Sequence, residues 1–481
     1  MSVQVFLQGK FTGVEDFVCA PASSGEPAGD KLVRGRALWL SLLSEAVPRA
    51  LLEELGLARI LLGLSGGSEF LIVLPAESLE AAESFLRNVA TSVSAMSGRR
   101  ARLVWGATEN LGDWSIVRKR LAESLWSRAH TAPPASLDAF LPGAQAAESA
   151  GEEYFSETLA GGIRQAKEIS WSPDDPGRIG FGEGKLRWPI GNDPGQITLP
   201  RHAALDDAGA EPAPVSLLAE RAQGRRAWGI LRADVDGFGV RLRRAASIEE
   251  HLQLSLMFRQ FFAGELELQC SMADFWRRTT ILSTGDDDFA VYGSWDALLM
   301  LAREMQRLFQ RMVDANLKDL PGPEGKTITM ALELAPAIDT PFGAVYEAAG
   351  LSLEAAKCAD KDALHVFGRT VEWRQLQHIG DLKEMMLRMV RQFGCPPKFL
   401  EELCGFYRDK PASGRPDRPW RYHRRLGVVL GEHKDRELHR LRTALISDIV
   451  GKSPSHVKLR PAGLVAVEWA RMLASSNASA E

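Results

Sequence analysis

The chain has 481 residues, of which 45% are hydrophobic and 25% charged, an ordinary globular composition too long for one core, so two to four domains are expected. Its net charge of −4 excludes an indiscriminate nucleic-acid coat protein but leaves room for a local basic groove. Five cysteines lie far apart without a C-x-x-C pair, which argues against a zinc site and a disulfide framework.

The opening SVQVFLQGKF reads as a strand and lacks the apolar run of a signal peptide. No later stretch approaches the ~18 apolar residues of a membrane span, so a cytoplasmic protein with no membrane partner is expected. RALWLSLLSEAVPRALLEELG has helical spacing, and ARILLGLSGGSEFLIVLP reads as strand, turn, strand. ESLEAAESFLRNVATSVSAM, RARLVWGATE and SIVRKRLAESLWSRA then supply helix, strand and helix. Residues 146–225 are rich in Gly, Pro and acids and read as a short helical piece plus an irregular connector.

The same order then returns. AWGILRADVDGFG (227–239) is a strand, SIEEHLQLSLMFRQFFAGELEL a helix, and ILSTGDDDFAVYG (281–293) a strand–turn–strand. A helix (295–313), a strand (327–335), a helix (342–359) and the short strand ALHVFG follow. The order β-α-β-β-α-β is the ferredoxin-like arrangement of nucleotide polymerase palms, with Gly67 and Gly285 in the same place of the two hairpins. The expected fold class is therefore α+β: a first palm-like domain (1–145), a connector (146–225), a second palm (226–372) and a helical domain (373–481). Within the last, the loop 408–425 carries seven Arg or Lys against two Asp, with Trp420 and Tyr422 interleaved. That composition suits phosphate contacts with base stacking, and equally a solvated surface loop.

Carboxylates gather in the second copy alone. Alternation along ILRADVDGFG puts Asp234 and Asp236 on one side of a strand, about 7 Å apart. The neighbouring hairpin brings Asp286 and Asp287, beside Asp288. Crowded like charges call for a cation or solvent. Asp234, Asp286 and Asp287, with the backbone carbonyl of Val235, make a hard oxygen set suited to two Mg²⁺ or Mn²⁺ ions and to nucleotidyl transfer. Gly285 would let the turn approach a triphosphate. Lys357 and Lys361, one helical turn apart, could meet its outer phosphates. The histidines show no metal-ligand spacing, and no serine sits in a nucleophile elbow.

These motifs resemble the large subunit of type III CRISPR effector complexes, the Cas-ten family of the Csm and Cmr kinds. The match spans residues 1 to about 375. The family's DVDNLG-like strand appears as Asp234-Val235-Asp236-Gly237-Phe238-Gly239, its GGDD as Thr284-Gly285-Asp286-Asp287, and its AK..GKN helix end as Ala356-Lys357 and Asp360-Lys361-Asp362. QGKFTGVEDFV, DKLVRGRALWL and LSGGSEFLIVLP are similar to further motifs of its inactive palm. The resemblance implies an ATP-using synthase of cyclic oligoadenylate, with Asp234, Asp286 and Asp287 catalytic and Ser65, Gly66 and Gly67 lining the ATP pocket from the first palm. It also implies partners: crRNA, target RNA, Cas-five-like and Cas-seven-like backbone subunits and a small subunit. Thr284 departs from the first glycine of GGDD, Gly237 and Asp362 from asparagines, and the zinc cysteines often found between the palms are missing. No His-Asp dipeptide occurs and a palm strand opens the chain, so no HD-type DNase is expected. The alternative is a catalytically inactive scaffold subunit, which Thr284 favours. A stand-alone GGDEF-type cyclase fits less well, because that class needs one palm per chain.

Overall fold

The computed structural model describes residues 3–131, 151–191, 193, 195–359, 361–408, 419–431, 435–450 and 459–475. Its first sheet has strands β1 (Gln4–Thr12), β2 (Leu62–Gly66), β3 (Glu69–Pro75) and β4 (Arg102–Glu109) in the order β2-β3-β1-β4. β1 is antiparallel to both neighbours and largely buried, as a central strand should be. Helix Asp30–Glu54 is buried on nearly every side. It is wedged between this sheet, the helical turns Tyr154–Gly161 and a strand of the second sheet, which explains a sequence apolar almost all round. Within it, the buried Arg34 donates to the carbonyls of Ala160 and Arg201 at 2.9 and 3.0 Å.

Residues 146–225 depart from the expected irregular connector. Among those described, β5 (Glu168–Trp171), β6 (Ile179–Gly180) and β7 (Leu186–Pro189) form a three-stranded sheet in the order β6-β5-β7. Strands of two to four residues between Gly and Pro are too short to show an alternating pattern. Their anchors Ile169, Trp171 and Trp188 nevertheless reach the core of the first unit.

The second sheet contains β8 (Trp228–Val235), β9 (Thr279–Thr284), β10 (Asp288–Ser294), β11 (Ile328–Leu334), β12 (Ala363–Val366) and β13 (Arg369–Glu372). Its order, β13-β12-β11-β8-β10-β9, repeats the first arrangement in β11-β8-β10-β9 and adds a terminal hairpin. The connector continues onto the β9 edge, where Ile281 N donates to His202 O and Ala204 N to Thr279 O, both at 3.1 Å. Beyond Trp373 the described residues are helical, and helix Pro461–Ala474 packs on Leu376–Arg391 in a core continuous with the second sheet. No described helix is long and apolar enough to cross a membrane. Much of the basic stretch, residues 409–418, and Asp360 lie outside the described residues.

The two units match residue by residue at their tips. Phe11 N donates to Ser68 O at 2.8 Å, and Val235 N to Asp287 O at 2.9 Å. Lys10 faces Glu69 across β1 and β3, while Asp234 faces Asp288 across β8 and β10. Gly13 and Gly237, each just before a short helix, share the left-handed conformation, with φ of 70° and 72°. This register corrects one expectation. Gly66, which pairs with Glu69, is the counterpart of Gly285, whose N–H donates to Asp288 O. Gly67 instead corresponds to Asp286.

A methyl group at Gly35 would stand 1.8 Å from the Phe155 carbonyl oxygen, a backbone atom that cannot move aside alone. Alanine in place of glycine within a helix ordinarily gains up to ~1 kcal/mol. Gly35→Ala is expected to reverse that sign and lose about 1–3 kcal/mol through overpacking, measured by denaturant unfolding.

Candidate active site

The floor of the site is the facing pair Asp234 and Asp288. Asp234 is held by Lys357 Nζ at 2.8 Å, and Lys357 also reaches Glu354 at 3.6 Å. Burial raises the Asp234 pKa, and Lys357 opposes the rise. Asp287 is pushed up to about 8 by burial and then by Asp288, Asp234 and Asp286. Asp288, at the mouth of a crowded cleft, rises to about 6 because surrounding protein displaces much of its solvent and Asp234 adds to the rise, with Arg232 and Lys357 lowering it.

Asp286 points another way, toward the first unit. Burial and Glu69 raise its pKa to about 7, against the Arg259 guanidinium. A methyl group at Gly67 would lie 3.2 Å from both the amide nitrogen and Oδ1 of Asp286. The two hairpins therefore meet tip to tip. Behind them the buried Glu45 pairs with Arg49 of its own helix and with Arg259 of the second unit. Ser65 Oγ donates to Glu45 at 2.9 Å and accepts from Arg49 at 3.0 Å.

Several expected site residues stand elsewhere. β8 ends at Val235, so the alternation does not carry Asp236 to the side of Asp234. Its buried carboxylate accepts from Thr327 Oγ1 and Thr329 Oγ1 at 2.8 Å and from Asp362 N at 3.0 Å. That makes Asp236 a clasp between β11 and the loop before β12. Helix Phe342–Ala359 stops before Lys361, which is exposed in the left-handed region at φ 53°, so the two lysines do not share a helix. The Ser65 hydroxyl is engaged by Glu45 and Arg49. Val235 presents a buried side chain and an N–H already bonded to Asp287. Gly285 has a local reason to be glycine, because Asp288 Oδ1 would lie 2.0 Å from a β-carbon there. Among the described residues no three His, Cys, Asp or Glu side chains converge on a point where a metal ion would sit.

Several cavities open on the seam, and two of them border Arg232. One, of about 140 Å³, lies over Gly67, Ser68, Thr284, Gly285 and Asp288. A larger one, of about 780 Å³, runs from Glu15 and Cys19 to Tyr346, Leu351 and Glu354. Arg232 borders both, with its guanidinium 4.3 Å from the centre of the Tyr346 ring and 2.7 Å from Glu15. Asp288, Arg232 and Arg259 were not singled out from sequence. Asp288 carried a signal, as the third acid of its run, whereas the arginines are recruited only by tertiary packing.

Two ferredoxin-like sheets joined hairpin to hairpin, with an acidic cluster in the second, define a double-palm protein of the nucleotidyl cyclase-like kind. Residues 227–365 match the family described as Cas10/Cmr2, second palm domain, and residues 3–109 match Csm1 subunit domain B. The chain belongs to the Cas10 family, the large subunits of type III CRISPR effector complexes. Among solved structures it is similar to an apo Csm1–Csm4 cassette, at 17% identity and a TM-score of 0.72, covering 98% of this chain and 70% of that one. Cassettes in complex with cA3 and with one ATP are each 16% identical over the same shares, with a TM-score of 0.70. No curated protein matches by sequence.

A carboxyl group with a raised pKa binds its proton more tightly folded than unfolded. Its stability contribution is therefore most favourable at low pH and is lost as pH rises through the folded value. With Asp286 at about 7 and Asp287 at about 8, the metal-free Asp286→Ala/Asp287→Ala variant should gain stability relative to the parent between pH ~4 and ~8. Above that range the difference should level off. Thermal unfolding of both chains in EDTA across this range checks it.

Proposed function

We propose that the chain binds ATP in the seam between its two sheets and, once target RNA is held by the assembled complex, joins ATP into cyclic oligoadenylate. The observation that carries this reading is the tip-to-tip meeting of the Gly67 and Asp286 turns. If each unit holds one nucleotide, that contact brings donor and acceptor together at the acidic hairpin, and such positioning is itself a large part of catalysis. The proposal assigns residues 1–145 to a non-catalytic palm, 146–225 to a connector, 226–372 to the catalytic palm and 373–481 to a helical domain.

Asp234, Asp286 and Asp287 are the residues that would hold Mg²⁺ or Mn²⁺, which requires Asp286 to turn from Arg259 toward the other two. Their donor chemistry fits a hard cation, and the upward pKa shifts of all three reflect burial and like charge that a cation would offset. Such ions, when bound, stabilise negative charge on a reacting phosphoryl group. The chain's own residues supply the rest. Lys357 exchanges Asp234 for a phosphate oxygen, and Lys361, exposed beyond the helix end, meets the outer phosphates. Gly66, Gly67 and Gly285 let the turns come close to a phosphate tail, while Ser65 keeps the Gly66 end in place through Glu45. The cavity beside Arg232 and Tyr346 has the size and mixed polarity for a base and ribose.

The fold also supports assembly with a Cas5-like subunit, because the similar structures are Csm1–Csm4 cassettes. In this reading crRNA, target RNA, Cas7-like subunits and a small subunit complete the particle. The chain should then co-purify with guide RNA and the neighbouring subunits, and failure to do so would count against the assignment.

A second reading, an inactive scaffold, is favoured by the 2.8 Å bridge between Lys357 and Asp234 and by the lack of a converged carboxylate triad. Product analysis separates the two. The complex with ATP, Mg²⁺ or Mn²⁺ and complementary RNA should yield cyclic oligoadenylate, which a scaffold would not. Asp286→Ala/Asp287→Ala should lower the rate by at least ~10²–10³ while leaving assembly and RNA binding intact. Thr284, half-buried at the end of β9, lines the seam, and Thr284→Gly should hold or raise the rate. An undiminished rate in the double variant would sink the carboxylate assignment.

A further inference from the structure

At the edge strand β2 a separate pocket of about 400 Å³ is bounded by helix Asp30–Glu54, helix Ile248–Gln260 and the connector near Gln196. Three guanidiniums line it, those of Arg49, Arg59 and Arg259. Two carboxylates stand against them: Glu45 between Arg49 and Arg259, and Asp193 on the rim, which accepts from Gln196 Nε2 at 3.1 Å. Glu53 acts on Arg59 from outside the lining, so at the pocket surface itself three guanidiniums face the single carboxylate of Asp193.

That excess is visible in the hydrogen bonds. Arg49 is only 7% exposed, and its Nη1 serves the Glu45 carbonyl, the Glu45 carboxylate and Ser65. Its Nε is buried with no acceptor, a costly state for a charged donor. Arg59 makes no hydrogen bond or ion pair among the described residues, although it is exposed and within electrostatic reach of Arg49 and Glu53. Burial and the neighbouring Arg49 lower its pKa, and Glu53 only partly opposes them.

We infer that this pocket is a binding site for a small phosphoryl anion of pyrophosphate size. Arg49 and Arg259 form its inner wall and Arg59 stands at its mouth. A polymer backbone could touch only the exposed Arg59, whereas a small anion can enter and reach the buried pair, so the small ligand is the better fit. Planar guanidiniums suit paired phosphate oxygens. The pocket also shares Arg259 with a narrow gap lined by Gly66, Gly67, Thr284 and Gly285. An anion there would therefore be one guanidinium away from the Asp286 turn.

The inference does not depend on catalysis, because binding can be read without ATP or metal. The full chain is titrated with inorganic pyrophosphate in EDTA at constant ionic strength, by thermal shift and by calorimetry. Saturable stabilisation is expected, weakened roughly tenfold or more in Arg59→Ala and less in Arg59→Lys. Arg59 is exposed and makes no ion pair among the described residues, so both variants should fold as the parent does. Asp286→Ala/Asp287→Ala should bind pyrophosphate at least as tightly as the parent, because Asp286 competes for Arg259, whereas a site at the hairpin carboxylates would be lost. The inference is overturned if pyrophosphate acts no differently from chloride, if Arg59→Ala binds it unchanged, or if the double aspartate variant loses it. Loss of single-stranded RNA binding in Arg59→Ala, with no pyrophosphate binding by the parent, would equally overturn it in favour of a polymer contact.

Discussion

Two carboxylates face each other across β8 and β10, and the arrangement of the cleft follows from keeping them there. Like charges directly opposite in an antiparallel pair destabilise a sheet. Here the repulsion is relieved from outside the pair: Lys357 comes down from helix Phe342–Ala359 to Asp234, and Arg232 stands near Asp288. Arg232 is in turn fixed by the Tyr346 ring and by Glu15 of the first unit. The helix position, the domain seam and the strand register are thus tied to one electrostatic conflict.

The seam has a second fastening in Glu45, buried between arginines from the two units. Such buried pairs are weak sources of net stability, but removing one member strands a charge and is expensive. Their strength is geometric. With Glu45 holding both Ser65 and Arg259, the glycine turn of one sheet cannot slide along the acidic turn of the other, and the cleft keeps its shape.

Much of this was legible in the sequence, and the limits are physical. The duplicated order showed in the change of apolar spacing between helices and strands and in paired glycine hairpins. The offset between Gly66 and Gly67 could not be read, because either glycine of an adjacent pair satisfies the same spacing. Register is decided only when Lys10 and Glu69 are seen opposite each other. Asp236 was misplaced because alternation holds only as far as the strand, and β8 stops one residue earlier. Lys361 was misplaced for the parallel reason at a helix end. The small connector sheet is held by Ile169, Trp171 and Trp188 reaching into the first unit's core, a tertiary cause with no local pattern. Arg232 and Arg259 look like ordinary surface arginines until a second domain is set beside them.

The Lys10–Glu69 pair has a consequence for how such a chain can change over generations. At the place where the second sheet holds opposed acids, the first holds a lysine and a glutamate 3.9 Å apart, an arrangement with no repulsion to relieve. The first tip is balanced within its own strand pair, although Glu69 still acts on Asp286 across the seam, while the second tip holds opposed acids that depend on distant cations. Mutational tolerance should divide along the same line. The first tip can drift so long as Lys10 still balances Glu69 and the turn stays narrow at Gly67, whereas every charge around the acidic tip is held in place by the others.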